Sequence, residues 1–416
     1  MNINVQRWID RWVGIPLCAA ASLANAITSP FRPSGVADKA PRAIVIILLS
    51  EMGSLVLAHD MFTRLKTRYP DAQLHALLFG KNREILDLMQ VVDPAHVHTV
   101  DDKSLSGLLS SLWKAVKELR QAHVDVAIDC ELFSRISSLL SFASGASVRV
   151  GFHRHTQEGL YRGSHINRPV PYNPYHHISA QFLTLARAID STAVPRSKLP
   201  VMLAGKAPPH VQLDPALKPD IERRLAQDFP AIAGKPLVLV YPGGGILPIR
   251  AWPLASYTTL CEGLVADGYA VAVIGLKDDR ALAQQLVANV NRAFPASSGS
   301  AAIDLTGYTR SIAELLALFH VAKLLVTNDG GPGQFAALTP IWTLMLFGPE
   351  TPGLYAPLTP RCHSFYSQYP CSPCLTAYNH RSSYCDGDNQ CLKVIAPETV
   401  LAKARECLQQ DQAVAA

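Results

Sequence analysis

Residues Leu324 to Pro352 read LLVTNDGGPGQFAALTPIWTLMLFGPETP. The apolar run Leu324 to Val326 that opens this stretch has the pattern of a buried strand. It empties into Thr327-Asn328-Asp329 and then Gly330-Gly331-Pro332-Gly333, where three glycines in four positions let a backbone turn sharply and approach a ligand closely. A short helical stretch, Gln334 to Leu338, follows, and a second apolar run, Ile341 to Phe347, breaks at Gly348-Pro349. Strand, glycine turn, helix start and strand is the local grammar of a doubly wound α/β domain, whose ligands sit at the carboxyl ends of the strands. Free N–H groups at a helix start suit a phosphate. Asp329, at the strand tip, is a candidate for a sugar or ribose hydroxyl.

The same grammar runs outward from this stretch. Upstream, Pro236 to Tyr241 reads as a strand followed by Pro242-Gly243-Gly244-Gly245, and Arg250-Ala251-Trp252-Pro253 precedes a helix over Leu254 to Asp267. Ala270 to Gly275 is a strand, Asp278 to Asn291 a helix, Ile303 to Thr306 a short strand ending at Gly307, and Ser311 to Ala322 a helix. Asp278 or Asp279 is placed like a ribose-binding acid, and equally like a helix N-cap. Thr306 and its neighbours would border the base. In the first half, Ala43 to Leu49 reads as a central strand running into Ser50-Glu51-Met52-Gly53-Ser54 and a helix from Leu55 to Tyr69. Strands at 74–79, 96–100, 124–130 and 148–152 alternate with helices at 82–90, 104–122 and 134–144, which argues a parallel sheet covered on both faces. Residues 191–213 contain four prolines and read as an interdomain linker.

A chain of 416 residues exceeds one ordinary core and suggests two domains. With 49% hydrophobic and 17% charged residues it is a folded protein rather than a disordered one. Its net charge of +5 helps at an anionic lipid surface or with phosphorylated substrates and is too small to argue nucleic acid. No apolar stretch reaches transmembrane length.

The pattern TNDGGPGQFAAL…LFGPETP resembles the signature of glycosyltransferase family 9, the heptosyltransferase-like group. That signature usually reads N-D-[ST]-G-P-x-H-x-A-A-A and then F-G-P-T-x-P. Gly330 stands where Ser or Thr is usual, and Gln334 where His is usual. The resemblance covers roughly residues 42 to 408. It implies an α/β chain of the GT-B class, with two Rossmann-like doubly wound domains facing a central cleft. The expected boundaries are an N-terminal apolar segment and linker over 1–41, an acceptor-side domain over 42–190, the linker, a nucleotide-sugar domain over 214–395, and a C-terminal helix over 396–416 crossing back to the first domain. The implied reaction is an inverting transfer without a catalytic metal or other required cofactor. It moves a sugar, with heptose from an ADP-sugar favoured, to a lipopolysaccharide-type or lipid-linked glycan.

The resemblance also implies roles for particular residues. The family carries a Gly-Asp pair after the first strand, whose Asp is the base on the acceptor hydroxyl. Here Ser54 holds that slot, and a serine of ordinary pKa cannot accept the proton unaided. Glu51, the nearest carboxylate, is the expected base, against the alternative of a loop cap. Arg250, before Trp-Pro, would neutralise the diphosphate, a role that suits a guanidinium fork. Gly243, Gly244, Gly245, Gly330, Gly331, Pro332 and Gln334 would complete the donor cradle, although Gln334 offers only a neutral amide. Arg154, His155 and Arg162 are candidates for acidic groups of the acceptor, with a solvated loop as the bland alternative.

Cys371, Cys374, Cys385 and Cys391 crowd one region with the spacing C-x2-C-x10-C-x5-C. A structural zinc, disulfides or free thiols all fit this spacing. Trp12 to Ile27 is apolar and follows Arg7 and Arg11. An interfacial anchor on the inner leaflet of the cytoplasmic membrane, a cleaved signal and a helix packed on the protein itself all stay open. Two other classes compete with a transferase: a non-catalytic binding or assembly protein on the same scaffold, and a nucleotide-sugar epimerase. A nicotinamide dehydrogenase is disfavoured, because the first loop lacks G-x-G-x-x-G.

Overall fold

The computed structural model describes residues 3–28, 40–49, 51–132, 134–153, 161–193, 195–203, 211–245, 247–294, 302–377 and 383–415. The chain divides into two compact units, Met1–Ala204 and Gly205–Ala416.

The first unit runs α1 (Ile3–Trp12), α2 (Gly14–Thr28), β1 (Ala43–Ile47), α3 (Met52–Leu57), α4 (His59–Arg68), β2 (Gln73–Phe79), α5 (Arg83–Met89), β3 (Val97–Val100), α6 (Leu105–Gln121), β4 (Val126–Asp129), α7 (Arg135–Ala143), β5 (Val148–His153), β6 (Arg168–Pro171) and α8 (Ile178–Ala188). Its six strands form one sheet in the order β3-β2-β1-β4-β5-β6, and every pairing is parallel. β1 is apolar and buried along its whole length, as a central parallel strand covered on both faces must be. On one face Val45 and Ile47 pack with Leu119 of α6 and Leu140 of α7.

The second unit runs α9 (Leu217–Asp228), β7 (Leu237–Tyr241), α10 (Leu254–Ala266), β8 (Ala270–Gly275), α11 (Arg280–Ala293), β9 (Ala302–Thr306), α12 (Ile312–Val321), β10 (Leu324–Asn328), α13 (Gly331–Ala336), β11 (Trp342–Phe347), α14 (Pro352–Tyr355), β12 (Cys362–Tyr366), α15 (Gln390–Lys393) and α16 (Pro397–Ala415). The strand order is β12-β11-β10-β7-β8-β9, again all parallel. Val240 and Val326 meet Leu260 of α10, Leu286 of α11 and Val400 and Cys407 of α16 in one core.

Both sheets follow the Rossmann order. The connection reverses direction between β1 and β4 in the first unit and between β7 and β10 in the second, so each sheet has a topological switch point where a ligand crevice opens at the strand tips. Two strands were not expected from the sequence, β6 and β12, and both lie at sheet edges. β6 reads RPVP. Proline cannot donate to a ladder, and an edge is where a sheet tolerates it.

The N-terminal helices pack on the first unit. α1 and α2 lie against α7. Asp10 Oδ1 accepts from the backbone N–H groups of Arg135 and Ile136 at 2.9 and 3.0 Å, and so caps α7 from outside its own sequence. Asn25 Oδ1 takes Nη2 of buried Arg149 at 2.7 Å, and Ser22 Oγ takes the N–H of Ser164 at 2.9 Å. Pro16 falls in the first turn of α2, where its missing N–H costs nothing.

Candidate functional site

At the switch point of the first unit, β1 ends at Ile47 and Leu49 follows two residues later. The Leu49 N–H donates to Glu131 Oε1 at 2.6 Å, and its carbonyl accepts from Asn82 Nδ2 at 2.7 Å. The strand tip is thereby fixed by a carboxylate that follows the neighbouring strand β4 and by an amide that follows β2. Glu51 takes the N-cap position of α3 in extended backbone, φ −122° and ψ 111°, yet its side chain does not cap the helix. Its Oε2 instead accepts a hydrogen bond from Ser54 Oγ at 3.0 Å. The structure thus joins the two residues that the sequence singled out here. The serine orients a half-buried carboxylate, and a carboxylate so held can receive a hydroxyl proton. Glu131 escaped the sequence reading. Its only signal is that it follows a predicted strand that has to neighbour the first one.

Arg162 does not stand where an acceptor could reach it. Its side chain is 0% exposed and is ion-paired with the equally buried Asp129 at the tip of β4. Its remaining donors go to Ser134 O at 2.8 Å, Phe152 O at 2.8 Å and Ser137 Oγ at 3.0 Å. The expected acceptor contact gives way to a structural role, because the guanidinium is fully buried and enclosed by one carboxylate, two carbonyls and a hydroxyl. Arg154 and His155 lie outside the described residues.

At the second switch point, Asn328 closes β10 by stitching it to the loop after β7. Its Nδ2 donates to Pro242 O and Gly243 O at 3.1 and 3.0 Å, and its Oδ1 accepts the Trp252 N–H at 3.0 Å. Trp252 is itself sunk in the core, with Nε1 on Ile395 O at 3.1 Å. The Arg-Ala-Trp-Pro sequence therefore works as an anchor at Trp252 that presents Arg250 two residues earlier. In the glycine loop, Gly245 adopts φ +60°, which favours glycine.

Arg250 meets two acids. Its Nη2 lies 2.9 Å from Glu350 Oε2, and its Nε lies 3.6 Å from Asp329 Oδ2. All three side chains are largely buried. Burial alone would lower the pKa of Arg250, but the Glu350 and Asp329 carboxylates more than offset it and the net direction is up. Burial raises both acids, against the opposing pull of Arg250, and Glu350 is pushed up to about 8. Glu350 is the second residue the sequence reading missed. It stands at the threonine of F-G-P-T-x-P, a further departure from the signature.

The remaining donor-side candidates divide. Gly330 is extended at φ 170°, and a Cβ there would have as its nearest neighbour Asn328 O at 3.9 Å, so a larger residue fits. Pro332 sits in the first turn of α13. Gln334 is buried and donates from Nε2 to Tyr355 O at 2.7 Å, tying α13 to α14. Thr306 gives its hydroxyl to Asp304 Oδ1 at 2.6 Å. Asp279 caps its own turn by accepting the Leu276 N–H at 2.8 Å, while Asp278 is exposed beside it.

The cysteine spacing does not become a metal centre. None of the nine cysteines forms a disulfide. Burial first, and then the nearby Cys374, Cys371 and Cys385, push the Cys391 thiol up to about 11. Yet among the described residues no three His, Cys, Asp or Glu side chains gather to hold an ion. Ser383 Oγ donates to Cys374 Sγ at 3.3 Å, and Cys385 Sγ lies 3.7 Å from Asn389 Oδ1. The expected zinc set is therefore not assembled among the described residues.

Comparison with known proteins agrees with this geometry. The chain is 26% identical over 319 residues to lipooligosaccharide heptosyltransferase 2 of Haemophilus ducreyi, covering 76% of this chain and 86% of that protein. It is 24% identical over 373 residues to lipopolysaccharide heptosyltransferase 2 of Salmonella typhimurium, covering 88% and 99% respectively. Its fold superposes on the structure of E. coli ADP-heptose lps heptosyltransferase II with a TM-score of 0.68 at 21% identity, covering 89% of this chain and 99% of that one, which gives the fold as GT-B. The model of glycosyltransferase family 9 (heptosyltransferase) matches residues 112–384. Two Rossmann units with the family's motifs at their switch points, together with that match, establish that the chain belongs to glycosyltransferase family 9 and is a glycosyltransferase.

Proposed function

We propose that this protein transfers heptose from an ADP-heptose donor to a lipopolysaccharide-type acceptor by a single displacement that inverts the anomeric centre. The observation that carries the reading is the donor-side cluster at the β7/β10 switch point. There an Asn328-pinned glycine loop, a buried arginine and Asp329 come together at the strand tips. In this reading Arg250 and the N–H groups of Gly330, Gly331 and the Gly243–Gly245 loop receive the diphosphate, and Asp329 receives the donor sugar. Glu51, oriented by Ser54, takes the proton from the acceptor hydroxyl. Arg154 and His155 remain the proposed contacts for acidic groups of the acceptor. The Ser54–Glu51 hydrogen bond favours catalysis over a binding-only scaffold, since it supplies a carboxylate where the family's aspartate is missing.

The proposed setting is the inner leaflet of the cytoplasmic membrane. No helix among the described residues is long and apolar enough to cross a bilayer. The docked N-terminal helices leave Trp8, Trp12, Leu17, Leu23 and Ile27 exposed, with Arg11 over the Trp12 ring at 5.5 Å. α6 lines the same sheet face as α7 and exposes Leu105, Leu109 and Trp113 at helical spacing, with Lys117 over the Trp113 ring at 5.3 Å. Apolar and aromatic residues flanked by cations suit an anionic lipid surface.

Calorimetry with ADP, UDP, GDP and CMP tests the donor assignment on the wild type and on Arg250→Ala and Asp329→Ala. Selective ADP binding, weakened mainly by Arg250→Ala, is expected. Preference for UDP or GDP would keep the transferase and discard ADP-heptose. No binding of any nucleotide by folded protein would turn the reading toward a non-catalytic scaffold.

A further inference from the structure

Glu350 is only 3% exposed, lies in the loop after β11, and among the described residues faces Arg250 from the turn before α10 and Asp329 from the tip of β10. Tyr355 of α14 bears on the same trio through Arg250. Glu350 and Asp329 thus converge on one guanidinium, two buried carboxylates sharing a single cation. Two buried carboxylates around one cation repel each other when both are ionised, which favours a proton on one of them. With that proton the trio is one cation, one anion and one neutral acid, and its net charge is zero. Without it the trio is a net anion.

That difference matters to a ligand that is itself a polyanion. Arg250 Nε and Asp329 Oδ2 are buried, 3.6 Å apart and without a hydrogen-bond partner among the described residues, which leaves a guanidinium donor in reserve. A diphosphate oxygen suits that donor, but it approaches a net-anionic trio against repulsion. We propose that Glu350 is a positioning residue of the donor site whose proton, shared with Asp329, frees Arg250 to receive the nucleoside diphosphate, so that donor binding is linked to protonation of this carboxyl pair. The inference rests on the donor-site reading given above. The pair titrates as a unit, and burial places its upper step at about 8 on Glu350, within reach of experiment. An acid raised in this way keeps its proton below that step and loses it as the pH rises, so the diphosphate binds more weakly on the alkaline side.

ADP binding followed by calorimetry from pH 7 to 9.5, on the wild type and on Glu350→Gln and Glu350→Thr, tests the inference. Glutamine keeps a neutral hydrogen-bond donor that cannot ionise, and thermal unfolding checks that both variants fold. Wild-type affinity is expected to fall with a limiting slope of roughly tenfold per pH unit above pH 8, as for one linked proton. Glu350→Gln is expected to bind with no such slope, and repetition in buffers of different ionisation enthalpy should show proton uptake in the wild type only. A flat wild-type profile, or an equal decline in Glu350→Gln, overturns the linkage while leaving the donor site standing. No ADP binding by the folded wild type at any pH overturns the donor-site reading, and this inference with it.

Discussion

Replacing Arg162 by methionine separates a buried structural cation from a ligand contact. Methionine retains much of the side-chain volume but supplies none of the four interactions to Asp129, Ser137, Ser134 and Phe152. Asp129, 0% exposed, is left with the Glu131 N–H and the Ser137 hydroxyl but no cation. Removing one partner of a buried pair costs about 3–5 kcal/mol. For a unit of this size that is a fall of roughly 6–20 °C in its melting temperature. The loss should depend on pH. Burial already holds the Asp129 carboxyl up at about 6 with Arg162 beside it. An acid raised in the folded state contributes stability that is present at low pH and lost as the pH rises through its folded pKa. Removing the cation raises Asp129 further, so the variant is less impaired at pH 5 than at pH 8. Substituting Asp129→Leu as well removes the stranded acid and should recover most of the loss, as apolar replacement of a buried pair commonly does. Scanning calorimetry of the single and double variants at both pH values measures this, with acceptor kinetics run below the transition. A shift under about 3 °C accompanied by a several-fold rise in acceptor KM would refute the structural role and return Arg162 to the acceptor.

Other expectations follow from the same geometry. Glu51→Gln should lower kcat by roughly 10²–10⁴-fold, the usual worth of a general base, with ADP affinity unchanged; a variant that turns over normally in an ADP-release assay removes Glu51 from the base role. His75 and His165 are held down at about 4 by burial. A base lowered in this way keeps its contribution above its unfolded pKa of 6.5, so each histidine should withdraw on the order of 3 kcal/mol as the pH falls from there to 4, and a urea midpoint independent of pH would contradict it. Gly333→Ala places a methyl 2.9 Å from Met345 Cε and should cost about 1–3 kcal/mol in thermal unfolding, whereas Gly330→Ser, with nothing closer than 3.9 Å, should be nearly silent.

Much of this was legible in the sequence where the signal is local. β1, β4, β7, β10 and β11 are apolar runs covered on both faces, and such a run announces itself without knowledge of its partners. The edge strands β6 and β12 carry prolines or mixed polarity, and only the finished sheet reveals them. The stretch read as one helix over 55–69 breaks at Ala58 into α3 and α4. The Glu51–Ser54 contact spans three residues of one loop and could be anticipated. The trio of Arg250, Asp329 and Glu350 comes from the turn before α10 and the loops after β10 and β11, which sequence spacing does not bring together. Arg162 reads as a loop cation because its burial depends on Asp129, a residue of another strand. Sequence reports the charge of a side chain directly and its surroundings only through the fold.

The outside cap on α7 sets a limit on how this protein can be handled. A chain begun at Arg42, the natural cut if α1 and α2 were a dispensable leader, would strip Asp10 from the first turn of α7, Asn25 from Arg149 and Ser22 from Ser164. The start of α7 follows closely on Glu131, whose carboxylate holds the tip of β1 beside Glu51. Trimming the apolar end to gain solubility would therefore loosen the scaffold under the loop that carries Glu51, and purification with the first forty or so residues intact is the safer route to folded protein.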